Sequence, residues 1–283
     1  MSLHPVAVVG PIYAASERGL AADVLMARAL GLAPLPVCTQ IVVASDGRVT
    51  DVTAVPVDTV EAQLEHLVAG TPPLGVKIGG LANNRIAITV LEAITRLGVP
   101  VVLDLTASGP SGETVLDARG IDAVASRMHA ATLVTLSKAD AELVTNTSIE
   151  SLDDAQVAAQ RLHHRGAKTV VIRCGALPYR FYDAADDPGS ADRELLFADL
   201  FYDGEDFALF EAPLVDRDPP GASSAFSLAT LARLIKGDDL LTALQAAKII
   251  ATEAVRQSVR LDGFADRIGG LQPFQTTADV RQS

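Results

Sequence analysis

The chain has little of what marks several protein classes. It holds only two cysteines, Cys38 and Cys174, far apart in sequence. That is too few for a disulfide framework, so both read as ordinary buried or half-buried thiols. No run of 18 apolar residues occurs, and the first residues lack the basic region and apolar core of a secretory signal. The expectation is therefore a soluble, cytosolic protein. Basic charge is also short, since 23 Lys+Arg stand against 35 Asp+Glu for a formal net charge of -12. Such a surface disfavours nucleic acid and anionic membranes as partners and leaves room for a small-molecule ligand, including a small anion held by backbone N–H groups. None of His4, His66, His129, His163 and His164 shares metal-ligand spacing with a cysteine or carboxylate. His163 and His164 instead close a helical stretch, where a cation suits the dipole.

What is present is apolar and alternates in period. Hydrophobic residues make up 49% of the chain, enough for a sizeable core. Val6-Ala7-Val8-Val9 reads as a strand, followed by a helix over 17–30. A β-branched run over 35–43 ends at the turn Ser45-Asp46-Gly47. Val60, Leu64, Leu67 and Val68 then share one helical face, and Gly70 stops that helix. The alternation continues with strands over 75–80, 101–104, 132–135 and 169–173. Between them lie helices over 84–97, 118–128, 139–145 and 152–164. A loop over 184–190, a β-hairpin over 195–210, and helices over 220–235 and 240–260 follow. This pattern predicts one parallel-sheet α/β domain over residues 1–268, with helices on both faces, a small β-hairpin, and a mobile tail over 269–283.

One loop stands out chemically. In Arg217-Asp218-Pro219-Pro220-Gly221-Ala222-Ser223 a loop gives way to a small-residue helix, and proline costs least in the first turn of a helix. The N–H groups of Gly221, Ala222 and Ser223 would then point out of the helix end and form an anion site. Close packing of small residues explains the same run equally well. Asp104 ends an apolar strand on the edge where open α/β sheets bind ligands. Asp140 and Glu142 open a helix, where acids suit the dipole. Lys77 reads as a buried or pairing lysine rather than a catalytic one, and Asp23 as a surface charge.

Several stretches, in order, are similar to the hydroxymethylpyrimidine and phosphomethylpyrimidine kinases of thiamine biosynthesis, within the ribokinase-like superfamily that also holds pyridoxal kinases. They are Gly19-Leu20-Ala21-Ala22-Asp23, Val76-Lys77-Ile78-Gly79, Val101-Val102-Leu103-Asp104, Leu133-Val134-Thr135, Ala141-Glu142-Leu143-Val144-Thr145 and Ala247-Lys248. The resemblance implies a three-layer α/β/α sandwich, a homodimer, and ATP and Mg2+ as cofactors. It also implies transfer of a phosphoryl group to a hydroxymethyl group on a pyrimidine or pyridine.

Carried over residue by residue, the family's site is altered here. Its Gly-Thr-Gly-Cys loop falls on Pro219-Pro220-Gly221-Ala222, so only Gly221 survives. Pro220 has no N–H to donate, and Ala222, at the base position, cannot accept a proton. Asp216 and Asp218 point from a different part of the loop, which disfavours them as substitutes. The substrate-binding positions fall on Ile12, Ala44 and Gly79, where the family's acid and ring-binding glutamine have become Ile12 and Ala44. The resemblance places nucleotide contacts at Arg173, Gly175, Gly221, Ser223 and Lys248. Its metal-related acids fall at Asp104, Asp140 and Glu142. The implied activity is weak or lost, and the alternative is a catalytically silent paralogue with a nucleotide- or phosphate-binding or regulatory role.

Overall fold

A computed structural model describes residues 3–14, 16–45, 47–175, 196–215 and 219–258. Strands form where apolar, β-branched runs can be buried on both faces, as parallel sheets require. Those strands are β1 (His4–Tyr13), β2 (Leu32–Ser45), β4 (Val76–Ile78), β5 (Val101–Leu105), β6 (Leu133–Ser137) and β7 (Val170–Gly175). They pair in parallel in the order β2-β1-β4-β5-β6-β7. Antiparallel strands finish both edges. β3 (Arg48–Ala54) lies on β2, while β8 (Leu196–Tyr202) and β9 (Phe207–Pro213) extend the sheet beyond β7. The result is a nine-stranded sheet.

Helices cover both faces, so the architecture is a three-layer α/β/α sandwich. One face carries α2 (Val57–Ala69), α3 (Asn84–Thr95), α4 (Ala118–Ala125), α5 (Lys138–Thr145) and α6 (Leu152–His164). The other carries α1 (Leu20–Ala29), α7 (Ala222–Ile235) and α8 (Leu240–Arg256). Each helix packs the apolar stripe its sequence period provides, as when α3 buries Ile86, Val90, Leu91 and Ile94. Side-chain caps fix several starts. Asn83 accepts from the Ile86 N–H, Ser137 from Asp140 and Asp239 from Thr242.

One strand was not expected, and three expectations need correction. The strand β3 had no apolar signal, because its side chains stay largely exposed and its pairing with β2 is carried by the backbone. The β8–β9 hairpin is not an appendage but the continuation of the central sheet. Helix α7 starts at Ala222 rather than at Pro220, and Gly221 precedes it in a left-handed conformation, φ 91°, that favours glycine. Asp23 is fully buried rather than a surface charge, because its carboxylate pairs with Lys77 beneath the ends of β1 and β4. The loop over 184–190 and the tail over 269–283 lie outside the described residues.

Two features of the topology position the site. The chain order reverses between β1 and β4, the neighbours at which the strands turn toward opposite edges. In open α/β sheets the crevice outside the carboxyl ends at such a point is where ligands bind. The carboxyl ends of β5, β6 and β7 lie further along the same edge, facing the start of α7.

Candidate functional site

A cleft of about 480 Å³ opens at that edge, within the size range of small-molecule sites. Pro219, Gly221, Ala222 and Ser223 line it from the loop and first turn of α7. Arg173 and Gly175 line it from the end of β7, Asp140 from α5, and Lys248 from α8. The fold thus gathers most of the expected nucleotide-side residues in one place. The expected ring-binding positions Ile12, Ala44 and Gly79 do not line this cleft. Ile12 is exposed on β1, and Gly79, just past β4, is buried.

The positive end of α7 faces the cleft. The Ala225 N–H closes the first helical turn on the Gly221 carbonyl, so the N–H groups before it have no acceptor within the helix. No acid lies in that first turn, and no side chain caps it. The arrangement favours an anion. At the base position Ala222 offers only a methyl group. Cys174, the thiol on β7, is no substitute, since burial and the Asp199 charge push its pKa up to about 12 and keep it protonated. Asp216 and Asp218 lie outside the described residues.

Beneath the cleft runs a chain of buried charges. Lys77 Nζ lies 2.8 and 3.0 Å from the two carboxylate oxygens of Asp23, and 3.8 Å from Asp104 Oδ2. Arg173 Nη1 reaches Asp104 Oδ1 at 3.0 Å and Thr135 Oγ1 at 2.6 Å. Ser227 of α7 stands 3.5 Å from Asp104 Oδ2. The two carboxyls respond in opposite directions. Burial pushes Asp23 up despite Lys77 and a hydrogen bond from Ser224. Burial also pushes on Asp104, but Arg173 and Lys77 together outweigh it and hold that carboxyl below its ordinary value. On the far wall Lys248 Nζ pairs with Asp199 at 2.9 Å and lies 5.9 Å from the Phe197 ring centroid.

The expected metal set is not assembled. Among the described residues no group of three or more His, Cys, Asp or Glu is placed to hold an ion, and each of the three acids has at least one oxygen engaged within the protein. Asp104 is held by Arg173, with Lys77 close by. Asp140 Oδ1 accepts from the Ala107 N–H, the Ser108 N–H and the Ser108 hydroxyl, and Oδ2 accepts from the Ser137 hydroxyl at 2.8 Å. It ties the loop after β5 to the start of α5. Glu142 pairs with Lys138 at 3.1 Å and accepts from the Ile149 N–H at 2.8 Å. These acids therefore do not gather into one set of direct ligands; magnesium bound through water needs few of them.

Among the cleft residues that were not anticipated are Tyr13, Arg18, Phe197 and Asp199. Nothing in the local pattern of Tyr13 and Arg18 marks them. Asp199 had a signal only in hindsight, as an acid inside an apolar strand. Its position depends on β8 pairing with β7, which sets it opposite Arg173.

A profile of the phosphomethylpyrimidine kinase family matches residues 16–268. The chain belongs to the phosphomethylpyrimidine kinase family. A hydroxymethylpyrimidine/phosphomethylpyrimidine kinase of Aquifex aeolicus is 30% identical over 246 residues, covering 86% of this chain and 91% of the relative. One from Mycobacterium tuberculosis is 28% identical over 247 residues, covering 86% and 85%. Among solved structures, a Bacillus subtilis pyridoxal kinase in complex with ADP superposes with a TM-score of 0.79 at 25% identity. That likeness covers 94% of this chain and 97% of the other. The sandwich of this phosphomethylpyrimidine kinase family member is thus the ribokinase-like fold of the pyridoxal kinases.

Proposed function

We propose that this chain is a phosphotransferase of the hydroxymethylpyrimidine type whose turnover is weak or lost. Its reaction would be ATP-dependent phosphorylation of a hydroxymethyl group on a pyrimidine or pyridine compound. The phosphates of a nucleotide would face the first turn of α7, with Arg173 and Lys248 on the flanking walls. In phosphoryl transfer most catalysis is positioning and charge stabilisation, and the uncapped start of α7 with Arg173 and Lys248 beside it supports that reading. Magnesium would enter with the nucleotide and be held by its phosphates and water, since the nearby acids are engaged.

The observation that carries reduced activity is Ala222 at the start of α7, with Pro220 two residues before it. A missing general base costs about 10²–10⁴ in rate, and a missing N–H donor to a developing anion about 10²–10³. These factors do not multiply cleanly. The same observation favours a second reading, a silent paralogue that keeps a nucleotide or phosphate site and serves in regulation. Both readings need the cleft to bind an anion. ATP, ADP or sulfate should therefore raise the melting temperature, because a ligand that binds only the folded state stabilises it. No shift with any of the three would remove the support for both readings. A homodimer is part of the proposal. The exposed side chains of Ile12, Ile41 and Val43 share one face of the β1–β2 pair, and light scattering should give about twice the 29.5 kDa chain mass.

A further inference from the structure

Three serines in the first turns of α7 divide between the core and the cleft. Ser224 is 3% exposed and hydrogen-bonds Asp23, while Ser227 is 0% exposed and stands 3.5 Å from Asp104 Oδ2. Ser223 is half-buried and lines the cleft of about 480 Å³. Ser223 and Ser227 lie four residues apart, on one helix face, and both hydroxyls meet the Asp104 carboxylate. Ser223, one turn nearer the helix start, is the one of the three that reaches the cleft.

The other serine and threonine hydroxyls of the cleft serve the scaffold. Ser108 and Ser137 donate to Asp140 at 2.7 and 2.8 Å, and that carboxylate already holds the Ala107 and Ser108 N–H groups. Thr106 lies 3.4 Å from the Asp104 carbonyl, and Thr252 donates to the Lys248 carbonyl at 2.8 Å. Only Ser223 combines a carboxylate partner with a place on the turn whose open N–H groups favour a phosphate.

An activated hydroxyl is recognised by a base within hydrogen-bond reach that is itself oriented by a third group. Asp104 fits that role for Ser223. Arg173 holds its Oδ1 at 3.0 Å, Lys77 stands 3.8 Å from its Oδ2, and together they keep the carboxyl ionised despite its burial. Ala222, one residue away, can take no proton from an external alcohol. The hydroxyl best placed to react at this helix end is therefore the protein's own.

We propose that Ser223 is a self-phosphorylation site, which takes the terminal phosphoryl group of a nucleoside triphosphate bound in the cleft. The bond from Ser223 Oγ to the terminal phosphorus forms as the bond from that phosphorus to the bridging oxygen breaks. The nucleoside diphosphate leaves with the electron pair, and the hydroxyl proton passes to Asp104 and on to water. The proposal rests on the reading that nucleotide phosphates face the start of α7. Its product is a phosphoserine whose charge suits the helix end. Each chain reacts once, so the steady turnover expected with alcohols is unchanged.

The full chain is incubated with ATP and magnesium in the absence of any alcohol, and the tryptic peptide over 218–233 is sequenced by mass spectrometry. One phosphoryl group should appear on Ser223, at a rate per chain independent of protein concentration. Ser223→Ala should lose it while keeping the rise in melting temperature that ATP gives. Ser223→Thr should accept it at the same position. Sulfate binding, followed by calorimetry, gives a readout without phosphoryl transfer. Ser223→Glu puts a carboxylate where the phosphate would form and should weaken sulfate at least about tenfold, since like charges side by side repel. Absence of phosphate from Ser223 in a chain that ATP stabilises, a rate that rises with protein concentration, or unchanged sulfate affinity in Ser223→Glu overturns the proposal and spares the nucleotide reading. A chain that ATP does not stabilise overturns both.

Discussion

Replacing Lys77 with methionine would strand a carboxylate in the core. Lys77 is 3% exposed and holds Asp23, itself 0% exposed, through contacts of 2.8 and 3.0 Å. Removing one partner of a buried ion pair typically costs about 3–5 kcal/mol, because the remaining charge has neither water nor a counterion. At the 2–4 °C per kcal/mol usual for domains of somewhat smaller size, the melting temperature should fall by roughly 6–20 °C. Asp104 should suffer less, since Arg173 still holds it at 3.0 Å. The pair can be separated from general damage with the double variant Asp23→Leu/Lys77→Met, which replaces both charges by apolar groups and should melt above the single variant. The pH dependence provides a second check. Burial already raises the Asp23 carboxyl above its ordinary value, so as pH falls the folded state takes up this proton before the unfolded chain does. The deficit of Lys77→Met should therefore shrink as pH falls through that folded value. Differential scanning calorimetry reads all three arms. A fall of less than 2 °C for the single variant, or a double variant no better than the single, would refute the account of the pair.

Two further outcomes are expected. The Asp104 carboxyl sits below its ordinary value of 3.8 although burial pushes it up, because Arg173 and Lys77 outweigh burial. Its contribution is full above about pH 4 and is lost as pH falls through the folded value. The stability gap between wild type and Arg173→Met in urea titrations should accordingly be widest at neutral pH and close in acid; a gap independent of pH contradicts this. Changing Pro219-Pro220-Gly221-Ala222 to Gly-Thr-Gly-Cys should restore little phosphotransfer by itself, because Ile12 and Ala44 still lack the family's ring contacts. Full activity from that change alone would show that those two positions do not matter.

Much of the fold was legible because the central strands are apolar on both faces and each helix carries one apolar stripe. Val101-Val102-Leu103 and the face of α3 need no distant information. β3 was hidden because an edge strand with exposed side chains leaves no periodic signature. The hairpin was visible as two strands, but its junction to β7 was not, so Phe197 and Asp199 could not be placed in the cleft. Asp23 was misjudged for the same reason: its partner lies 54 residues away, and no local pattern links them. At the site, Arg173, Lys248 and the α7 start could be found by resemblance. The engagement of Asp140 by four donors depends on the loop after β5 folding back onto α5, a tertiary fact.

Reduced phosphotransfer is tested most directly by a coupled ADP-release assay with ATP, magnesium and a panel of pyrimidine and pyridine methanols, the pyridoxal type included. Enzymes of ordinary competence turn over at about 10 s⁻¹, and loss of the base alone should lower this at least 10²-fold. The expected rate is below about 0.1 s⁻¹ on every alcohol, with Ala222 at the base position as the cause. Turnover near one per second or faster on any of them would contradict the account.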